Sequence, residues 1–250
     1  MSEDRPLAGK VALVTGSGRG IGKAIALAYG RAGATTACAA RTTAEIEVTA
    51  GAIEGQGGRA LAVTCDVCQH AQVRAMMATV RERCDGLDIL VCNAGGNLHR
   101  RTVETSAPAA WVAGVELNLA SAYFCARAAI PLMKARGGGR IVFLGSGMGH
   151  RGVAGHSSYC VGMAGIWMLT RVLAEELITD GISVNELVPG PVITPATEAE
   201  RREGGRIAAF EIPGEWPKQP DDVVPLALFL ACCPAPGPTA QSFSLMRRQG

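Results

Sequence analysis

The sequence predicts an α/β fold, a doubly wound parallel sheet of about seven strands with helices on both faces. Short apolar runs alternate with helical patterns along the chain, and a glycine-rich or polar turn follows most of the runs. The 250 residues, 48% of them hydrophobic, suffice for one large core but not comfortably for two. We therefore expect a single domain over residues 1–250.

Each strand is predicted from a short apolar run, the pattern of a strand that is buried on both faces of a parallel sheet. The predicted strands are Lys10–Thr15, Ala34–Ala40, Arg59–Thr64, Leu87–Cys92, Ile141–Leu144, Ile182–Val188 and Gln241–Leu245. Strands that alternate with helices at these short intervals are typical of right-handed parallel crossovers.

The helices are predicted from apolar residues at helical spacing. They are Lys23–Ala32, Thr43–Glu54, Gln69–Cys84, two patterns within Pro108–Lys134 with Asn118 inside the second, a long helix to Leu177, and Asp221–Cys232. Ser157 or Ser158 is the expected N-cap of the long helix. Residues 193–217 are polar and rich in Pro and Gly, which predicts a flap.

The composition argues against several classes of partner. The formal net charge is +2 and aromatic residues make up 4%, so neither nucleic acid nor an anionic membrane is favoured. The start of the chain, MSEDRPLAGK, has no apolar run, and no stretch looks long and clean enough to span a bilayer. We expect a soluble, cytoplasmic protein.

The nine cysteines predict neither disulfides nor a metal centre. Their number is odd and they lie in apolar segments, which is typical of reduced, buried thiols. Cys65 and Cys68 form one C-x-x-C pair, but no second pair stands at zinc spacing. We therefore predict no metal.

The most informative turn is Gly16 to Gly22, which reads GSGRGIG between the first strand and the first helix. In that position backbone N–H groups and a helix N-terminus can hold phosphate. The spacing G-x-x-x-G-x-G differs from the usual G-x-G-x-x-G dinucleotide pattern. A plain glycine-rich turn is the alternative, but the strand and helix context favours a dinucleotide site.

Two arginines bear on the choice of dinucleotide. An NAD site favours an acidic residue after the second strand, whereas this chain has Ala40 and Arg41 there. Arg19 adds a second cation within the glycine turn. Either arginine alone is explained as a solvated charge, but together they suit a 2′-phosphate and so favour NADP over NAD.

Several polar residues follow strands and should meet at one edge of the sheet. In doubly wound sheets, ligands bind in the crevice at the carboxyl ends of the strands. The Gly16 turn, Arg41, Asp66 and Asn93 all fall at such ends. Asn118 lies inside a helical pattern, where a buried amide is unfavourable unless it is hydrogen-bonded.

These motifs together resemble the short-chain dehydrogenase/reductase family in its compact, single-domain Rossmann form. The matching positions, in chain order, are Thr15-Gly16-x-x-x-Gly20-x-Gly22, Asp66, Asn93-Ala94-Gly95, Asn118, Ser146, Tyr159 and Pro189-Gly190. The fragments VNELVPGPVITP and KQPDDVVPLALFLA look most like 3-oxoacyl-carrier-protein reductases and related sugar or alcohol dehydrogenases.

The resemblance implies a nicotinamide cofactor site and a catalytic set. The implied cofactor residues are Gly16, Ser17, Gly18, Arg19, Gly20, Ile21, Gly22, Arg41, Asp66, Val67, Asn93, Ala94, Gly95, Tyr159, Pro189, Gly190, Ile193 and Thr194. Of these, the glycines would cradle the pyrophosphate, and Asp66 and Val67 would hold the adenine. Ile193 and Thr194 would touch the nicotinamide amide.

The implied catalytic residues are Ser146, Tyr159 and Asn118. Tyr159 would exchange the proton with a carbonyl or alcohol substrate while hydride moves, and Ser146 would hydrogen-bond the carbonyl. Asn118 would hold a water in a proton relay. The family often forms tetramers through two long helices, so a homo-oligomer, a tetramer or a dimer, is expected.

Two positions depart from the family pattern. The lysine that the resemblance implies four residues after the tyrosine is Met163, and the C-terminal SLMRRQG lacks paired glycines. A neighbouring ammonium would favour tyrosinate, whose ordinary pKa is about 10, and methionine cannot do so. His150 and His156 are candidate replacements for the missing cation, although a surface or capping histidine is the simpler interpretation of each.

Three functions follow from this pattern. The first is an NADP(H)-dependent carbonyl reductase, because reduction requires only a neutral tyrosine as the acid. The second is a catalytically impaired, cofactor-binding paralogue or partner subunit, which Met163 favours. The third is a non-redox isomerase or lyase in which Tyr159 acts as an ordinary acid.

Overall fold

The computed structural model describes residues 5–195, 197–198, 215–234 and 237–246, and these residues form a seven-stranded parallel sheet. Its strands are β1 Val11–Thr15, β2 Thr35–Ala40, β3 Arg59–Thr64, β4 Ile89–Cys92, β5 Gly139–Leu144, β6 Ile182–Val188 and β7 Ser242–Ser244. Their spatial order is β3-β2-β1-β4-β5-β6-β7. The predicted doubly wound parallel sheet is therefore confirmed, and each predicted strand is present to within two residues at either end.

Helices cover both faces of this sheet. They are α1 Gly20–Arg31, α2 Thr43–Glu54, α3 His70–Cys84, α4 Pro108–Val115, α5 Ser121–Ala135, α6 Ser157–Leu177 and α7 Val224–Cys232. Short 3₁₀ turns occupy Gly147–Gly149, Ile178–Asp180 and Pro220–Val223, and the last of these forms the start of the predicted final helix.

The central strands are largely apolar because they contribute to two cores. On one face Leu13, Leu90 and Phe143 pack in a buried cluster with residues of α3, α5 and α6. On the other face Val14 and Val142 pack with residues of α1, α2 and α7. This double burial explains why the strand segments read as continuous apolar runs rather than as alternating ones.

Residues 108–135 form one helical run in place of two separate patterns. A π-helical segment, Glu116–Ala120, joins α4 to α5 and contains Asn118. The run is long and apolar enough to span a membrane by length and composition, so the expectation that no stretch meets that test is wrong. This is weak evidence for a membrane, because core helices pass the same test and Ala126 and Met133 are buried in the core.

The start of α6 also differs from the prediction. The N-cap is His156, and no side chain caps the helix. Ser157 Oγ instead accepts a hydrogen bond from Trp111 Nε1 at 2.9 Å, and Ser158 is buried against Gly114 of α4. Tertiary contacts therefore engage the two hydroxyls that were expected to cap the helix.

The base of the predicted flap is anchored beside β6, whereas residues 196, 199 and 200 and 201–214 lie outside the described part of the chain. Val192 and Lys218 form a parallel bridge, and Ile193 N donates to Lys218 O at 2.7 Å. The Lys218 ammonium is buried and lies 2.9 Å from a carboxylate oxygen of Glu215. The two ends of the segment are thus held together.

Candidate active site

A cleft of about 870 Å³ follows the carboxyl edge of the sheet. The predicted site residues that line it are Gly16, Gly18, Arg19, Gly20, Ile21, Arg41, Asp66, Val67, Asn93, Ala94, Gly95, Asn118, Ser146, Tyr159, Pro189, Gly190 and Thr194. The structure thus brings together at one edge most of the residues that the sequence places at strand ends. Ser17, Gly22 and Ile193 do not line the cleft.

The glycine turn has a shape that side chains would disrupt. Gly16 and Gly20 have φ values of +66° and +57°, in the left-handed region that favours glycine. A Cβ atom at Gly22 would lie 2.4 Å from both Gly16 O and Asn93 Nδ2. The backbone therefore approaches itself closely just where α1 begins, and the N–H groups of the first helical turn have no partner within the helix.

A network of hydrogen bonds holds this turn against the end of β4. Asn93 Nδ2 donates to Thr15 O at 2.9 Å and to Gly16 O at 3.2 Å, and Thr15 Oγ1 accepts from the backbone N–H groups of Asn93 and Ala94. Ser17 is buried behind the turn, and its backbone N–H donates to Ala39 O. Ser17 and Gly22 therefore shape the cradle without facing its occupant.

This cradle fits a dinucleotide diphosphate. An occupant with a pyrophosphate would meet unbonded backbone N–H groups and the positive end of the α1 dipole. The glycines have no side chains that could block the phosphates. The close approach of Gly22 to Gly16 leaves no room for a larger residue at position 22. The residues present therefore match the chemistry of a nicotinamide dinucleotide at this position.

The end of the cleft beside β2 and β3 carries charges of both signs. Arg41 and Arg19 are exposed there, as predicted, and Asp66 Oδ1 accepts a hydrogen bond from Cys68 N at 3.0 Å. Glu45 also lines the cleft and lies 3.9 Å from the Arg19 guanidinium. Sequence reasoning missed Glu45 because it belongs to the helix α2 pattern rather than to the end of β2.

The phenol of Tyr159 and the hydroxyl of Ser146 meet at the opposite end of the cleft. Burial raises the pKa of Tyr159 above its ordinary value, whereas the hydrogen bond with Ser146 and the positive charge of Arg100 lower it. Ser146 Oγ also accepts a hydrogen bond from Met148 N at 3.2 Å. Tyr159 is therefore a neutral phenol at neutral pH, with Ser146 held beside it.

Asn118 is buried next to this pair, but its amide is fully occupied. Its Oδ1 accepts from Gly96 N at 2.9 Å, and its Nδ2 donates to Gly96 O and Gly114 O at 3.0 and 2.8 Å. The side chain thus joins the π-helical segment to the loop that follows β4. This bonding accounts for an asparagine inside a helix, and the predicted water relay remains untested.

Met163 lies one helical turn after Tyr159 and lines the same cleft. Its side chain is only 5% exposed. A Cβ atom at Gly149 would lie 2.9 Å from the Met163 Cβ, so the loop after Ser146 packs directly on this residue. The methionine is therefore a tightly packed wall of the cleft.

Neither histidine provides the cation that Met163 lacks. His150 Nε2 lies 3.1 Å from the carboxylate of Glu186, a fully buried residue of β6. His156 Nδ1 lies 2.7 Å from Asn97 Nδ2, and burial together with the charge of Arg100 lowers the pKa of this imidazole. His150 is thus paired with Glu186 and does not line the cleft, and His156 is neutral at neutral pH.

Sequence reasoning missed several residues at this end of the cleft. Its walls also include Asn97, Arg100, Arg101, Arg151 and Met246. Most of them lie in loops without periodicity, and Met246 comes from the far C-terminal region, so no local pattern could indicate them.

The cysteines and the acidic residues show no sign of a metal centre in the described ranges. These residues contain no cluster of three or more His, Cys, Asp or Glu side chains that could hold an ion. Cys65 is buried and Cys68 is partly buried, and both are free thiols. Burial raises the pKa of Cys65 to about 12, which keeps it a neutral thiol at neutral pH.

A glycine cradle for a dinucleotide and a buried phenol–hydroxyl pair at the same edge of a parallel sheet define a class, the nucleotide-dependent oxidoreductases of doubly wound architecture. The sequence model of the short chain dehydrogenase family matches residues 10–204. The chain belongs to the short-chain dehydrogenase/reductase family, whose members bind a nicotinamide cofactor.

Characterised relatives share most of the chain. A 3-oxoacyl-[acyl-carrier-protein] reductase from Synechocystis sp. is 34% identical over 245 residues, covering 96% of each chain. A 3beta-hydroxysteroid dehydrogenase from Mediterraneibacter gnavus is 34% identical over 189 residues, covering 76% of this chain and 68% of that one. The crystal structure of a short-chain type dehydrogenase/reductase from Mycobacterium marinum superposes with a TM-score of 0.89 at 34% identity, covering 96% of this chain and 95% of that one.

Proposed function

We propose that this protein is an NADP(H)-dependent oxidoreductase that reduces a carbonyl group to an alcohol. The observation that carries the proposal is that Ser146 and Tyr159 line one end of a cleft whose other end is a glycine cradle. Relatives named as reductases support the same direction of reaction.

The roles follow from the state of each side chain. A reduced nicotinamide, when bound, supplies hydride to the carbonyl carbon and is itself oxidised. Tyr159 donates its phenolic proton to the carbonyl oxygen, and Ser146 donates a hydrogen bond to that oxygen as negative charge develops on it. The resulting tyrosinate regains a proton from solvent, so the net change adds one hydride and one proton to the carbonyl.

The pKa of Tyr159 favours reduction over oxidation. Burial raises it above the ordinary value, so the phenol holds its proton at neutral pH. Reduction requires this acid form, whereas oxidation of an alcohol requires tyrosinate as the base. Without an ammonium at position 163, the family chemistry is thus best retained in the reductive direction.

The preference for NADP rests on Arg41 and Arg19 at the adenosine end. A guanidinium suits the 2′-phosphate, and no carboxylate follows β2 directly. Glu45 opposes this preference because it lies near Arg19 and can accept a hydrogen bond from a ribose hydroxyl. We assign NADP because Arg41, which directly follows β2, forms no ion pair with a carboxylate of the described residues, whereas Arg19 lies beside Glu45.

We further propose a homo-oligomer in the cytoplasm. Large apolar side chains are exposed on the two long helices, Tyr123 on α5 and Val161, Met168 and Val172 on α6. An apolar helix surface of this kind is typical of an interface between subunits. Size-exclusion chromatography with light scattering tests this expectation.

A cofactor-binding paralogue remains the second candidate, and Met163 is the observation that favours it. An apolar residue replaces the cation that would favour tyrosinate and bond the nicotinamide ribose, so weak or absent turnover would follow. A non-redox isomerase or lyase would use the same Tyr159 proton without any change in the nicotinamide.

The test measures NADPH oxidation at 340 nm across a panel of ketones that includes 3-oxoacyl thioesters and 3-oxosteroids. We expect turnover with one class of ketone, NADPH preferred over NADH, and loss of about 10²-fold or more in Tyr159→Phe. Cofactor binding without turnover of any ketone would favour the paralogue. Product formation without absorbance change would favour the isomerase.

A further inference from the structure

The carboxylate of Glu186 is fully buried in β6, and the reaction proposed above does not use it. Its two oxygens lie 3.1 and 3.2 Å from Nε2 of His150, and Ser242 Oγ of the neighbouring strand β7 donates a hydrogen bond to it. A carboxylate that is removed from water is costly unless hydrogen-bond donors or a cation meet it. The positions of these two donors therefore show which elements the carboxylate joins.

The Glu186 carboxylate contacts the loop after β5 on both sides of Ser146. Ahead of Ser146, a Cβ atom at Gly145 would overlap the carboxylate, which fills the space that a side chain there would need. Beyond Ser146, the imidazole of His150 reaches the same carboxylate. The backbone adds a further link, because Gly145 N donates to Leu187 O at 2.9 Å. One carboxylate of β6 thus holds both ends of the segment that carries Ser146.

This loop has few side chains with which to hold itself in place. It reads Gly-Ser-Gly-Met-Gly-His over residues 145–150, so every second position is a glycine, which leaves the backbone free to adopt many conformations. The contacts of Ser146 within the loop are local. Its Oγ accepts from Met148 N at 3.2 Å, and its O accepts from Gly149 N at 2.8 Å. The contact of His150 with Glu186 is therefore a side-chain link from the end of this loop to the sheet.

The surroundings keep the imidazole against the carboxylate. His150 packs edge-on against Trp167 of α6, with the ring centres 5.9 Å apart. The guanidinium of Arg171, one turn later on α6, lies 4.1 Å from the centre of the same indole ring and 3.5 Å from Ser242 Oγ. The pair of His150 and Glu186 is thus enclosed by α6 on one side and by β7 on the other.

We propose that Glu186 is a positioning residue for the reaction, which acts through His150 by holding the loop after β5 so that Ser146 stays at the end of the cleft with Tyr159. Ser146 and Tyr159 line the cleft, whereas Glu186 and His150 do not, so neither member of the pair is placed to touch a substrate there. The catalytic part of this proposal rests on the proposed function, but the anchoring of the loop does not. The two parts can therefore fail separately.

The anchoring is tested without cofactor or substrate by hydrogen–deuterium exchange of the full chain, followed in peptides that cover residues 145–150. The main variant is Glu186→Leu, which removes the buried charge together with the anchor and so leaves no unpaired carboxylate. The conservative variant is His150→Gln, whose amide nitrogen can donate to the carboxylate in place of the imidazole. Asp88→Val is the matched control, because Asp88 is also a buried carboxylate but directly precedes β4, at the opposite edge of the sheet.

We expect Glu186→Leu to raise the exchange rates in this segment by about tenfold or more, because a charge-assisted hydrogen bond that closes the loop is lost. His150→Gln should keep most of the protection, and Asp88→Val should leave the exchange of the segment nearly unchanged. Unchanged exchange in Glu186→Leu would overturn the proposal. Equal increases in Glu186→Leu and Asp88→Val would overturn it as well, since the effect would then be a general loss of stability. A His150→Gln protein that exchanges as fast as Glu186→Leu would contradict the role of His150.

A kinetic comparison shows whether the anchor acts through Ser146. With a ketone that is turned over, Glu186→Leu should lower kcat with a smaller change in KM, because the hydroxyl is needed most in the transition state. In a Ser146→Ala background, Glu186→Leu should cause no further loss, since the hydroxyl that it positions is already absent. Losses that multiply in the double variant would overturn the assignment to Ser146. If no ketone turns over, the proposed function fails, and the exchange experiment still decides whether Glu186 anchors the loop.

Discussion

Tyr159 and Met163 lie one turn apart on α6, and their side chains line the same cleft. The phenol thus has an apolar neighbour on its own helix, while the hydrogen bond of Ser146 and the charge of Arg100 reach it from two loops. The proposed proton donor therefore has no cation at the position on its own helix where the family resemblance implies a lysine.

Replacing Met163 by lysine tests what the methionine costs. The ammonium would reach both the phenol and the ribose side of the cleft, so we expect tighter cofactor binding and a rate of reduction up to about 10²-fold higher. Calorimetry with NADP and initial rates measure the two effects. Met163→Leu, which conserves volume and lacks charge, is the control, and equal or lower activity in the lysine form would show a site rebuilt around methionine.

The pH dependence of turnover follows from the raised pKa of Tyr159. Reduction needs the neutral phenol, which is fully present below the pKa and lost above it. Since burial raises this pKa, the rate of reduction should stay flat through neutral pH and fall only in alkaline solution.

Ser146→Ala should shift the alkaline fall in the rate of reduction to higher pH, because the variant loses a hydrogen bond that favours phenolate. It should also slow reduction at neutral pH, since the carbonyl oxygen loses a donor. If the alkaline fall in rate instead moved to lower pH in Ser146→Ala, the contact between Ser146 and Tyr159 would be contradicted.

The glycine cradle can be tested with one alanine substitution in the turn and a control substitution in α2, for which we expect opposite effects on stability. Gly22→Ala places a Cβ 2.4 Å from Gly16 O, so we expect a loss of about 1–3 kcal/mol in the free energy of unfolding and weaker cofactor binding. Gly51→Ala in α2 meets nothing within 4 Å and should instead stabilise the protein by about 0.5–1 kcal/mol. Denaturant unfolding and cofactor titration measure both variants.

The choice of cofactor should respond to charge at the adenosine end. Arg41→Ala should weaken NADPH binding while leaving NADH binding nearly unchanged, because only the former carries a 2′-phosphate. Glu45→Gln should act in the opposite sense, since it removes the carboxylate beside Arg19. Equal effects of Arg41→Ala on both cofactors would show that this arginine does not read the phosphate.

The buried ion pair at the base of the flap should be costly to break. The side chains of Lys218 and Glu215 are 2% and 1% exposed, and the ammonium also lies 4.0 Å from the ring centre of Trp216. Lys218→Met removes a buried charged partner of the Glu215 carboxylate, so we expect a loss of about 3–5 kcal/mol in stability. The double variant Lys218→Met/Glu215→Leu should recover most of the lost stability. If the double variant were as unstable as Lys218→Met, the loss would not come from the pairing of Lys218 with Glu215.

Local patterns predicted the architecture, and they predicted which residues meet at the edge of the sheet that we propose holds the cofactor. The strands were recognisable as apolar runs because helices cover both faces of the sheet. The Gly16 turn was recognisable because its shape depends on local backbone geometry that only glycine allows. The carboxyl-edge rule then brought Arg41, Asp66 and Asn93 together without any contact being known.

Tertiary partners decided what the sequence could not predict. His150 is a candidate cation by type, but its partner Glu186 is 36 residues away and fully buried. Ser157 was expected to cap α6, but its hydroxyl instead accepts a hydrogen bond from Trp111. Each of these outcomes depends on which distant residue a side chain meets.

The most direct test of the central claim follows hydride itself. NADPH that carries deuterium at the transferred position is incubated with the best ketone of the panel, and the alcohol product is analysed by mass spectrometry. We predict one deuterium on the carbinol carbon with the natural sequence and a product yield reduced to background with Tyr159→Phe. Alcohol that forms without deuterium, or labelled alcohol that forms equally well without the Tyr159 phenol, would contradict the account.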